Sequence, residues 1–391
     1  MPAFQRSTRR LKLGRLASAA AAAASLSFSA MAQQTTVNVV DVGGALALLQ
    51  DAITSYGAKH PEVKFTFTKA PAPELPGKLK AMQAANRSDI DLVLGGNDVL
   101  SAGIEQKLWE PLLPAHAAKF PGLADNYLPV VKKLQELTQN QGLTVLYSYG
   151  GPLLEYNPDK VKAPPTTPAE LLAYCKANPN KLIYARPANS GPARTFMMGL
   201  PYLLGDKDPK DPVNGWEKTW AYLKDLNTCI EYYPGGTAAV MKEVGEGSRD
   251  MTVTLTGWDI NPRALGIVPK EYRISVFKNM TWVSDPQYMM MPKGVPAAKA
   301  AVVMDVMAHL LKPEQQVLAY EGKGYLYPGP VLTNLPSTKA SKEAQALLKE
   351  YGRAEYEDLV AKNPHATPLD GNTMVKAFQI WDKDIGAQKL K

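Results

Sequence analysis

The chain has 391 residues, 45% hydrophobic and 21% charged, and its 44 basic against 37 acidic residues give a net charge of +7. Five of those bases, Arg6, Arg9, Arg10, Lys12 and Arg15, precede residue 33, where no acid occurs, leaving 39 bases against 37 acids, or +2. No basic stripe remains to receive a polyanion, which argues against nucleic acid as a partner despite the sequence pI of 9.0.

The basic segment opens the chain as an export signal would. An alanine-rich apolar stretch over 16–28 follows, and Ala30-Met31-Ala32 supplies the small residues that a signal peptidase needs, so cleavage is expected after Ala32. The stretch is too short and too weakly apolar for a membrane anchor. Thr8-Arg9-Arg10-Leu11-Lys12 is also similar to a twin-arginine signal. No cysteine near the cleavage position offers a lipid attachment point, and no later apolar run reaches spanning length, since the helix candidate over 302–311 contains Asp305 and His309. The mature protein is therefore expected to be free in the periplasm. In that oxidising compartment Cys175 and Cys229 have only each other as partners, so a disulfide is expected; the alternative is two buried thiols on separate helices.

A mature chain of roughly 360 residues exceeds what one core usually serves, so two domains are expected. The apolar strand over 37–42 stops at Gly43-Gly44. Ala45, Leu48, Leu49, Ala52, Ile53 and Tyr56 then recur at helical spacing up to Pro61. Val63, Phe65 and Phe67 alternate with polar residues as a half-buried strand. A helix over 75–85 leads to a buried strand over 90–94, and Gly95-Gly96-Asn97-Asp98 turns into the next helix. This alternation predicts a largely parallel sheet covered by helices. A second unit of the same kind begins near Tyr149. Thr167-Pro168-Ala169-Glu170 is a helix-opening capping box, followed by strand 181–185, helices over 194–204 and 216–229, and strands over 251–255 and 273–277. A strand over 288–291, a helix over 296–311 and a helical tail complete the chain.

Four stretches carry a resemblance: Lys59-His60-Pro61-Glu62-Val63-Lys64, Asp91-Leu92-Val93-Leu94, Glu155-Tyr156-Asn157-Pro158-Asp159-Lys160 and Leu310-Leu311-Lys312-Pro313-Glu314-Gln315-Gln316. Together they resemble extracellular solute-binding proteins of ABC importers, and the run from Thr167 to Phe196 is similar to a branch related to iron, thiamine and polyamine binders. The resemblance implies a two-lobed α/β periplasmic-binding-protein fold of type II with mostly parallel sheets. Lobe 1 would be formed by 33–149 with 284–391 and lobe 2 by 150–283, with crossings near 147–150 and 281–285. It also implies a monomer without cofactor or metal that captures a small molecule between the lobes and docks on an inner-membrane ABC permease.

Ligands of open α/β sheets gather beyond the carboxyl ends of strands, where helix N-termini offer unpaired N–H groups. Four loops qualify. Gly43 and Gly44 let backbone approach a guest, or simply turn the chain. Asn97 and Asp98 contact a ligand or merely cap a helix. Asn189 and Ser190 with Arg194 suit a carboxylate or phosphate, unless Arg194 sits in a surface ion pair. Trp258 beside Asp259 suits an organic cation, with Asp285 and Tyr288 adding to that box, unless Trp258 is core and Asp259 a cap. The ligand expected is a polyamine- or thiamine-like cation, or a zwitterion. Tyr232-Tyr233 invites comparison with iron binders, but follows a helix instead of ending a strand at the cleft. The alternative is a secreted hydrolase using cleft carboxylates, a chemistry without fixed spacing; neither a Gly-x-Ser-x-Gly elbow nor a His-Glu-x-x-His motif occurs.

Overall fold

The computed structural model describes residues 34–42, 44–71, 74–321, 329–333 and 335–387, with Met1 and Lys389. The basic leader, its cleavage position at Ala32, and Gly43 lie outside the described residues. Among the described residues no helix is long and apolar enough to cross a membrane.

Strands β1 (Thr35–Asp41), β2 (Val63–Lys69) and β3 (Leu92–Gly95) run parallel in the order β2-β1-β3. The helix Leu46–Lys59 makes the β1-to-β2 crossover and buries Leu48, Leu49, Ala52, Ile53 and Tyr56, the stripe its spacing predicts. β1 is apolar on both sides because both are covered. Val37 and Val39 pack with Val303, Val306 and Met307 of the helix Ala297–Leu310, whereas Val40 packs with Leu79 and Val93 on the other side.

β4 (Leu143–Gly151) joins this sheet and passes through Pro152 into β5 (Leu153–Tyr156) of a second sheet. That sheet contains β6 (Leu182–Ile183), β7 (Met251–Thr254) and β8 (Arg273–Val276) in the order β6-β7-β5-β8. β9 (Trp282–Met290) returns to the first sheet between β4 and β3, and the short β10 (Gly329–Pro330) and β11 (His365–Ala366) pair with β4 and β9. Where β4 and β9 cross from one sheet toward the other, their register shifts between Ser148 and Gly151. Gly150 there has φ +83°, and a Cβ on it would lie 1.7 Å from the Val283 carbonyl oxygen, so only glycine fits. Two α/β units are thus present, with a refinement. The purely parallel part is β2-β1-β3; β5 pairs antiparallel with both β7 and β8, and only β6–β7 is parallel.

The tail, expected with the first lobe over 284–391, reaches both units: Met374, Ala377, Phe378 and Trp381 of the helix Gly371–Trp381 share the core of the second sheet. Trp381 packs edge-on against Tyr233 at 4.8 Å between ring centres. These four residues form one helical stripe, which requires burial but does not by itself specify a partner. The start of the same helix touches the first unit, where a Cβ on Gly371 would lie 1.6 Å from Ser101.

Locally the capping signal is realised: the Thr167 hydroxyl accepts the Glu170 N–H at 3.2 Å, and the Glu170 carboxylate accepts the Thr166 N–H at 2.7 Å. The helix Pro168–Ala177 is bridged through Cys175 to Cys229, just beyond the helix Glu217–Asn227, across 54 positions of sequence. Closing a loop of that length restricts the unfolded chain by about 4 kcal/mol in the chain-entropy model. Converting both cysteines to serine is expected to lower the unfolding free energy by about that amount. A urea midpoint unchanged in the double variant would refute it.

Candidate functional site

β1, β2 and β3 run the same way, so their carboxyl ends open on one edge of the first sheet. The loops leaving them supply Asp41, Gly44, Lys69, Gly96 and Asp98 to a cleft of about 460 Å³. Facing these loops are Asn189, Ser190, Gly191 and Arg194, where the helix Gly191–Leu204 of the second unit begins.

Each loop is fixed by its own chemistry. The Asp41 carboxylate accepts the N–H groups of Gly44 at 3.0 Å and Leu46 at 3.4 Å, satisfying donors at the start of the helix Leu46–Lys59. Asp98 accepts the Val99 N–H at 2.9 Å through Oδ1 and lies 3.5 Å from Arg194 through Oδ2. Ser190 caps its helix by accepting the Ala193 N–H at 3.3 Å, and its hydroxyl also accepts from Thr237 at 2.8 Å. Asp285, on β9, accepts from Arg194 Nη2 at 3.1 Å. A Cβ on Gly191 would lie 2.8 Å from Asp285 Oδ2, so glycine lets that carboxylate approach the first turn of the helix, where its charge is favoured.

Arg194 is the centre of this arrangement. Its side chain is 9% exposed, between carboxylates 12% (Asp98) and 7% (Asp285) exposed, and it links the loop after β3, strand β9 and the second unit's helix. The surface ion pair considered for Arg194 is therefore a buried bridge. Among the described residues lining the cleft, Asp41 and Asp98 are balanced by Lys69 and Arg194, with Asp285 paired to Arg194 outside that lining.

Other expected site residues go elsewhere. Asn97 is buried and its amide donates to the Leu369 carbonyl, holding the tail to the helix Asn97–Glu105 instead of facing the cleft. Tyr288 is fully buried, and its hydroxyl donates to the Leu134 carbonyl at 3.1 Å. Asp259 is also fully buried, accepting from Arg353 at 2.7 Å, from Arg263 at 3.2 Å and from the Tyr356 hydroxyl. Trp258 packs against the cluster of Ile183, Val240 and Tyr272. The Trp258–Asp259 cation box is therefore not assembled: the carboxylate is saturated by protein cations and the indole is part of a core. Tyr232 and Tyr233 diverge, the first donating to Glu243 and the second to Asn227 at 2.9 Å. Lys69 was missed by sequence reasoning, although the strand-end rule that selected the loops after β1 and β3 applies equally to β2.

Solved structures share this architecture. The periplasmic binding protein P5PA is 18% identical with a TM-score of 0.65, over 90% of this chain and 99% of that one. AfuA from Actinobacillus pleuropneumoniae, solved with fructose-6-phosphate bound, is 17% identical with a TM-score of 0.63, over 90% and 98%. The spermidine/putrescine substrate-binding protein PotD from Streptococcus pneumoniae is 16% identical with a TM-score of 0.58, over 89% and 100%. None of the curated proteins compared matches the chain significantly. The sequence profile for bacterial extracellular solute-binding proteins matches residues 51–349. The chain belongs to the bacterial extracellular solute-binding protein family, the solute-capturing components of ABC transporters.

Proposed function

We propose that this protein captures a small organic solute bearing a cationic group, a polyamine-like cation or a zwitterion, in the cleft around Arg194. It would then deliver that solute to an ABC permease from the periplasm, after removal of residues 1–32. The observation that carries the ligand class is the pairing of Arg194 with Asp98 and Asp285 in a cleft whose lining charges balance, Asp41 and Asp98 against Lys69 and Arg194. A free anion would have to compete with two carboxylates already on the guanidinium, whereas a zwitterion brings one charge of each sign to a lining that carries both. Lys69 at the rim supplies a partner for a carboxylate on the same solute, which supports the zwitterion. PotD is named for spermidine and putrescine, and AfuA was solved with fructose-6-phosphate bound.

The solute would bind the open form and stabilise the closed one through contacts from both walls. A thermal-shift panel of spermidine, putrescine, thiamine, a basic amino acid and fructose-6-phosphate tests this. A true solute at about 100 times its dissociation constant adds roughly 2.7 kcal/mol, a rise of several degrees in Tm. The hit should also shrink the radius of gyration in small-angle scattering. A shift with fructose-6-phosphate and with none of the cations would reject the proposed ligand class.

A further inference from the structure

The helix Gly371–Trp381 joins the second unit by its body and the first by its beginning. Its apolar stripe lies in the second sheet's core, and Asp382 just beyond pairs with Arg186 of the same unit. At the other end the Leu369 carbonyl accepts from the Asn97 amide. Gly371 lies so close to Ser101 that a Cβ on it would sit 1.6 Å from the serine Cβ and 2.9 Å from its Cα. Asp370 fixes this end by capping the tail helix, accepting the Thr373 N–H at 3.1 Å and its hydroxyl at 2.6 Å. Asn97 and Ser101 are about one turn apart on the nine-residue helix Asn97–Glu105, so both reach the tail helix packed along it. Asp98, one residue on from Asn97, lines the cleft instead and lies 3.5 Å from Arg194.

The same helix therefore meets the second unit twice, at Arg194 through Asp98 and at the tail through Asn97 and Ser101. A short helix moves as one piece, so a displacement at Ser101 is carried to Asp98. We propose that Asn97, Ser101 and Gly371 are positioning residues for the cleft. They seat the helix Asn97–Glu105 on the tail and so hold Asp98 against Arg194, although all three stand outside the cleft lining. That this matters for solute capture rests on the reading of the cleft given above.

A solute-free double-mutant cycle tests the positioning. Asp98→Asn and Arg194→Met, singly and together, give the coupling between the two side chains from urea unfolding of the mature protein. In the parent the coupling should be about tenfold in the unfolding equilibrium constant. In Gly371→Ala, whose methyl drives the helices apart, it should shrink to about twofold or less, and adding Ser101→Gly should restore most of it. Asn97→Ala frees Leu369 without adding volume and should lower the coupling by about threefold or more; it decides alone if Gly371→Ala does not fold. No solute enters the assay, so a wrong ligand class leaves its outcome unchanged. A merely structural seat would lower stability and leave the coupling at its parent value. That result, or no coupling in the parent, would overturn the proposal.

Discussion

Replacing Arg194 with methionine is expected to lower the free energy of unfolding by about 3–5 kcal/mol, because it leaves two buried carboxylates facing each other without their cation. The side chains involved are 9%, 12% and 7% exposed, so water does little to compensate them. The control separates charge from packing. Adding Asp98→Asn and Asp285→Asn to the methionine variant removes the stranded charges, and most of the loss should return. Arg194→Lys should fall between, since an ammonium cannot reproduce the two-sided reach of a guanidinium. Because the bridge ties the first sheet's edge to the second unit's helix, scattering should show the methionine variant expanded relative to the parent. A methionine variant within about 0.5 kcal/mol of the parent would mean that the bridge is not formed in solution.

Much of the frame was legible because it follows from local periodicity. The stripe from Ala45 to Tyr56 is buried along its whole length, and Thr167 caps where its sequence signal places it. Three of the four candidate loops meet in one cleft for a similar reason: parallel strands end on one edge, and the start of the helix Gly191–Leu204 faces it. What failed was decided by contacts distant in sequence. Arg263 lies one helical turn beyond Asp259 and was readable as its partner, but Arg353 lies 94 positions away. Tyr288 sits in a nine-residue strand buried throughout, which has no alternation to show which way a side chain points. The tail's stripe announced that it packs without saying on which sheet. The hydrolase alternative rested on dispersed carboxylates; the chain belongs to a family of binding proteins, and of those carboxylates Asp98, Asp259 and Asp285 are engaged by arginines.

Those arginines make Asp259 the second position of large effect. Asp259→Asn is expected to cost about 3–5 kcal/mol, since it strands two buried guanidiniums, and to release the segment around Arg353 and Tyr356 to faster amide exchange. Glu155 on β5 gives this cluster a pH signature. Burial, and then the neighbouring Asp259 charge, push its carboxyl well above the usual range, against the pull of Arg353 and Arg263, and neither of its oxygens has a hydrogen-bond partner. From the unfolded-state value of about 4.3 upward, the folded protein keeps a proton that the unfolded chain has lost, so stability falls as pH rises through the raised folded value. Glu155→Gln removes that proton equilibrium. The parent's Tm should therefore decline more than the variant's between about pH 5 and about pH 8, and the two should converge at the acid end. In Asp259→Asn the repulsive neighbour is gone and both arginines favour the Glu155 anion. Its loss should therefore shrink as pH rises, and Glu155→Gln, mild on the parent, should deepen it. Parallel Tm curves for the parent and Glu155→Gln across that range would show that Glu155 does not titrate against this cluster.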